Sequence, residues 1–179
     1  VFTYKLIANK VDKDGNKLAG AGFTLYKWNE SSENQDDKYE AVGAEIVGTK
    51  TEPVTQFVFN HLDAGKYKLV ETTVPAGYNK ADDLEFTVVA TYDTESADPQ
   101  LTTLEIKDKD GTNTLTGENN VFTVNLAAGS ATTDIVNHSG TELPSTGGMG
   151  TTILYVVGAI LVIGAGILLV TKKRMNANK

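Results

Sequence analysis

Up to residue 138 the apolar positions come in short runs with a period of two, rich in Val, Ile, Thr, Tyr and Phe. That period belongs to β-strands, whose side chains alternate between two faces. Strands are predicted near 2–11, 22–28, 39–47, 54–59, 66–72, 84–92, 101–106, 121–126 and 132–137. Turn signals separate them: Asp14-Gly15-Asn16, Ala64-Gly65-Lys66, Pro75-Ala76-Gly77 and Asp110-Gly111. The polar stretches 29–38 and 93–100 read as exposed loops. Many short antiparallel strands without helices predict an all-β domain, a β-sandwich over residues 1–138.

One segment breaks the pattern. Residues 151–170 are apolar and carry no charge. At ~1.5 Å per residue a helix of that length spans about 30 Å, the thickness of a bilayer core. Such a helix satisfies its own backbone in lipid, so a single transmembrane helix is predicted. Lys172, Lys173, Arg174 and Lys179 make 171–179 a basic tail that stops transfer and stays on the cytoplasmic side. The β-domain then lies outside the cell.

Strand parity exposes an anomaly within that domain. Leu6 and Ala8 share a strand face with Lys10, Tyr67 and Leu69 with Glu71, and Ile135 with Asn137. If the apolar members face the core, a lysine, a glutamate and an asparagine face it too. Burying such groups unpaired costs several kcal/mol. The three are therefore expected to meet one another.

Charge narrows the function classes. All 23 acidic residues precede Leu143, while four of the 16 basic ones follow it, so the net charge of −7 combines an acidic domain with a basic end. An acidic exterior repels nucleic acid, and no nucleic-acid partner is expected. The chain has no cysteine, so the external domain lacks the disulfides that often brace secreted proteins. No secretory signal opens the chain. An exported protein needs one, so the expectation is a C-terminal piece of a longer precursor.

Between domain and span lie a short linker, 139–142, and the peptide Leu143-Pro144-Ser145-Thr146-Gly147. The order of peptide, apolar span and basic end resembles the cell-wall sorting signal of Gram-positive surface proteins, Leu-Pro-any-Thr-Gly, with every fixed position present. The resemblance implies that sortase is a partner, cutting between Thr146 and Gly147 and passing the new carboxyl end to an amine. That amine is the peptidoglycan cross-bridge, or a lysine of a neighbouring pilin. The mature protein would sit on the cell surface, covalently attached to the wall, and meet the membrane only before sorting.

A second resemblance covers 2–138. "KVDKDGNKLAGAGFTLYKW" from Lys10, "YKLVETTVPAGY" from Tyr67 and "DIVN" ending at Asn137 resemble the B-type domain of collagen adhesins and Gram-positive pilins. That family folds as an inverse immunoglobulin-like sandwich with a spontaneous Lys–Asn isopeptide bond. Carried over by position, Lys10 is the nucleophile, Asn137 the acceptor and Glu71 the proton manager. The chemistry suits these residue types. Burial disfavours the charged forms, freeing a lone pair on the amine and keeping a proton on the carboxyl. Folding aligns the groups, and effective molarities of ~10⁵–10⁸ M replace an external catalyst. A clamp between first and last strands would let a pulling force bypass most of the sandwich. The alternative is a buried Lys10–Glu71 ion pair with Asn137 as a hydrogen-bonding neighbour, an arrangement costly to desolvate. Lys5 and Lys13 are weaker nucleophile candidates, and Asn125 is the runner-up acceptor.

Other signals are discounted. Asp12-Lys13-Asp14-Gly15-Asn16 and Asp108-Lys109-Asp110-Gly111 have the flavour of calcium loops. Counted from Asp12, however, the EF-hand glycine and glutamate positions hold Lys17 and Phe23. Two histidines without cysteine make zinc an unattractive reading. No Gly-x-Ser-x-Gly is present, and Trp28 reads as a packing residue. No metal or cofactor is expected, and no enzymatic turnover beyond a single self-modification. The expected function is the C-terminal domain of a pilus subunit. Its rival is the stalk of a wall-anchored adhesin whose domains for a host surface ligand lie upstream.

Overall fold

The computed structural model describes residues 2–34, 37–117 and 121–140. The predicted span 151–170, the sorting peptide 143–147 and the basic cluster 172–174 lie outside these. Among the described residues no helix is long and apolar enough to cross a membrane.

The chain is all-β. In order its strands are β1 (Tyr4–Asp12), β2 (Gly22–Trp28), β3 (Tyr39–Ala41), β4 (Ile46–Val47), β5 (Gln56–Leu62), β6 (Gly65–Thr73), β7 (Leu84–Asp93), β8 (Gln100–Asp108), β9 (Thr123–Asn125) and β10 (Ser130–Asn137). They form a four-stranded sheet, β5-β1-β10-β9, and a six-stranded sheet, β3-β2-β6-β7-β8, with β4 also paired to β2.

Alternation decides which face each strand buries. Tyr4, Leu6 and Ala8 of β1 point inward, with Phe57, Phe59 and Leu62 of β5 and Ala131 and Ile135 of β10. The larger sheet answers with Phe23, Leu25, Tyr67, Leu69, Phe86, Val88, Leu104 and Ile106. Phe23 and Phe57 meet edge to face, 4.8 Å between ring centres, and so join the sheets directly. Each fully buried side chain of this kind contributes roughly 1.5–3 kcal/mol. A cavity-forming change at Phe23 or Phe57 would weaken both layers at once.

Two departures from simple alternation have local causes. In β5, Asn60 and His61 are both exposed before Leu62 turns inward. His61 adopts φ 60° there, and a bulge in the β1–β5 register absorbs the extra residue. The predicted strand 39–47 is two short strands with a break at 42–45. Within that break, Glu45 accepts the hydroxyls of Thr72 and Thr73 at 2.6 and 2.7 Å. Those bonds hold its carboxyl group below the usual carboxylate range. A Cβ on Gly22 would collide with this carboxylate, so the close approach requires glycine.

One pairing corrects an expectation. The strands were predicted to be antiparallel, and most pairs are. β1 and β10 run parallel, in the register Lys5↔Ser130 through Asp12↔Asn137. Parallel neighbours cannot be joined by a hairpin; here the strands between them supply the connection.

Candidate functional site

The register of β1 on β10 places Lys10 opposite Ile135, with Asn137 two residues further along β10. Glu71 reaches in from β6, on the facing sheet, where it pairs with Phe23. All three side chains are buried: Lys10 is 0 % exposed, Asn137 1 % and Glu71 2 %. The structure thus buries all three polar groups that strand parity set on core faces and joins two of them directly, Asn137 to Glu71, while the Lys10 amine meets backbone carbonyls.

Their contacts are specific. The Lys10 Nζ donates to the carbonyl of Ile135 at 2.6 Å and to that of Val11 at 3.2 Å. The Asn137 Nδ2 donates to Glu71 Oε1 at 2.8 Å. The second oxygen of Glu71, Oε2, accepts the backbone N–H of Ala81 at 2.8 Å. Asn137 Oδ1 is buried with no partner among the described residues, an arrangement native proteins rarely leave unexplained. No ion pair within 4.0 Å joins Lys10 to a carboxylate among these residues.

Burial pushes the Lys10 ammonium below its usual pKa, while the charge of Glu71 pulls the other way. Desolvation is the larger effect, because no carboxylate makes direct contact with the amine. This balance favours the neutral amine more than an ordinary lysine would allow.

The other sequence candidates lie elsewhere. Lys5 is half-buried, and Lys13 lies in the turn after β1, paired with Asp14 at 2.8 Å. Asn125 is exposed and accepts the Ala128 N–H at 3.0 Å. Asp12 accepts the backbone N–H groups of Asp14 and Asn16, both at 2.9 Å. Asp108 accepts from Asn113 and Thr112, and these bonds hold its carboxyl down at about 2. Both acids serve their own turns. Trp28 packs edge to face on Tyr39, 5.2 Å between ring centres, under the Lys66 ammonium at 4.7 Å.

Three participants escaped the sequence reading: the carbonyls of Val11 and Ile135 and the Ala81 N–H. All are backbone groups, and no side-chain pattern announces them.

Comparison with known proteins gives the family. The SpaA family, described as a prealbumin-like fold domain, matches residues 4–102. The LPXTG cell wall anchor motif matches residues 135–177. No curated protein matches the chain. Similar solved structures include the C-terminal fragment of pilus adhesin SpaC from Lactobacillus rhamnosus GG, at 23% identity and a TM-score of 0.43, covering 79% of this chain and 47% of that one. The pilus 2b backbone protein of group B streptococcus is 21% identical, with a TM-score of 0.41 over 79% of this chain and 43% of that one. BcpA, the major pilin subunit of Bacillus cereus, is 20% identical, with a TM-score of 0.42 over 76% and 29%. The chain therefore spans less than half the length of each, and likenesses this distant carry no argument of their own. The two family matches do: the chain belongs to the SpaA family of prealbumin-like fold domains and, bearing an LPXTG cell wall anchor, is a wall-attached protein of the Gram-positive cell surface.

Proposed function

We propose that the chain is the C-terminal part of a pilus subunit, braced by an isopeptide bond between Lys10 and Asn137 that Glu71 promotes. The observation that carries this is the joint burial of an amine, a carboxamide and a carboxyl group between two sheets. Two carbonyls accept from Nζ. A neutral amine has two N–H bonds and one lone pair, so satisfying both carbonyls leaves the lone pair free to attack. It adds to Cγ of Asn137, the Cγ–Nδ2 bond breaks, and ammonia leaves with a proton relayed through Glu71. The reaction runs once per chain and needs no cofactor.

Sorting is the second part of the proposal. Sortase cuts between Thr146 and Gly147 and transfers the Thr146 carboxyl to a lysine of the next subunit or to the peptidoglycan cross-bridge. The basic cluster Lys172, Lys173 and Arg174 holds the precursor in the membrane until then.

Intact-mass measurement of the full chain in detergent tests the bond. The expected mass is lower than the sequence mass by one ammonia, with a proteolytic peptide joining Lys10 to Asn137. The full sequence mass would defeat the reading. The anchor serves equally well for the stalk of a monomeric adhesin with its host-ligand domains elsewhere. An SDS-resistant ladder in wall extracts supports the pilus subunit, and a single band tied to wall fragments supports the stalk.

A further inference from the structure

We propose that the open edge of β5 is a docking site for an extended segment of another protein. The segment joins the smaller sheet as one further strand and sets a basic and an apolar side chain, two residues apart, against Glu40 and Val42. The inference is independent of the cross-link and of sorting.

β5 ends the four-stranded sheet, and among the described residues only β1 pairs with it. The Lys10 N–H donates to the Thr55 carbonyl at 2.8 Å, which marks those two as a hydrogen-bonded pair. Such pairs recur at every second residue of an antiparallel ladder. Phe57 and Phe59 therefore bond to Ala8 and Leu6, while the N–H and C=O of Gln56 and Val58 face away from β1. Another extended backbone matches that spacing of donors and acceptors. Natural edges are commonly blunted by charge or proline. β5 carries no lysine, carboxylate or proline, and its irregularity at His61 lies past the open stretch.

The space beside this edge is a step. Phe57 of β5 packs on Phe23 of β2, so the two strands lie one above the other. Beyond β2 the larger sheet continues with β3 and β4, whereas the smaller sheet stops at β5. Val42 records the overhang. Its N–H donates to the Leu25 carbonyl at 2.8 Å, which puts it on the inward face with buried Leu25, yet it is 46 % exposed. Glu40, paired with Lys27 two residues earlier, shares that face and is also exposed. A strand added to β5 lies above both, across the ~10 Å that separates packed sheets, with alternate side chains pointing down.

These neighbours choose the occupant. Glu40 favours lysine or arginine, Val42 favours an aliphatic side chain, and an acidic exterior draws basic segments. A second copy of this chain does not fit. Pairing two β5 edges would drive β3 of each copy into β2 of the other, because each larger sheet overhangs by one strand. The step admits a single strand.

The test follows the amide NMR shifts of the full chain in detergent on adding the capped peptide Thr-Lys-Thr-Val-Thr-Lys-Thr, which reads alike in both directions. Residues directly opposite share a face, so its threonines stand against Gln56 and Val58 and supply the edge-facing N–H groups, while its lysines and valine point down. The Gln56 and Val58 amides are expected to move, with half-saturation on the order of 1 mM for so short a strand. Methylating the threonine nitrogens should abolish the shifts, whereas methylating the valine nitrogen, which faces away from β5, should preserve them. Exchanging the lysines for glutamates should weaken binding about fivefold, and Glu40→Lys should reverse that preference. Unmoved Gln56 and Val58 amides at about 10 mM peptide, equal affinity for the lysine and glutamate peptides, or tolerance of threonine methylation would overturn the proposal. Movement of the same amides on diluting the chain without peptide would also overturn it, by making the occupant a second copy.

Discussion

Lys10 and Asn137 occupy the same inward face of two parallel neighbouring strands, although 126 residues of chain lie between them. A bond between them would close nearly the whole domain into a ring.

Closing a ring of this size removes loop entropy from the unfolded chain, by about 4–5 kcal/mol on the loop-closure relation. Lys10→Met fills similar space without an amine. Its unfolding free energy in guanidinium is therefore expected to fall by about that amount relative to the natural chain. A loss under 1 kcal/mol would mean that no covalent ring was present.

The lowered pKa of Lys10 gives a pH signature. In Asn137→Ala the amine stays unreacted, and folding is penalised while Lys10 is charged. The unfolded chain binds the proton up to the ordinary value of 10.5 and the folded chain releases it earlier. Stability should therefore rise with pH from the lowered folded value towards 10.5 and level off above it. With the proposed bond formed, the Lys10 nitrogen of the natural chain is an amide and does not titrate, so this rise should be missing. Thermal unfolding across alkaline buffers distinguishes the two.

Gly22→Ala tests the Glu45 contact. The new methyl displaces a carboxylate held by two threonine hydroxyls, and overpacking of this kind costs about 1–3 kcal/mol. The thermal midpoint should drop accordingly. In Glu45→Ala the nearer obstacle is gone and only the Thr73 Cβ at 3.0 Å remains, so adding Gly22→Ala should lower it less.

Thr146→Ala should leave the protein in the membrane fraction of the host, because the proposed acyl transfer would start at that residue. Normal release of Thr146→Ala in the wall fraction would contradict processing at this peptide.

What the amino-acid pattern revealed follows from how local it was. The inward burial of Lys10, Glu71 and Asn137 was legible because each shares a strand with unmistakable core residues, and parity needs only neighbours two positions away. The turn before β2 and the bounds of β2 itself were equally local. The parallel pairing of β1 with β10 was not legible, since nothing within either strand names a partner more than a hundred residues distant. The split of 39–47 into β3 and β4 depends on Glu45 reaching Thr72 and Thr73 on β6. The Ala81 N–H was hidden for a different reason: a backbone donor looks alike at nearly every position.

The parallel β1–β10 pairing also sets a schedule. It is the contact of greatest sequence separation at this site, so it forms only after β10 has been delivered. A chain still threading through an export channel lacks that partner and remains an open, linear polymer. The proposed lock could engage only on a finished domain, and its amide would be a chemical record that folding went to completion.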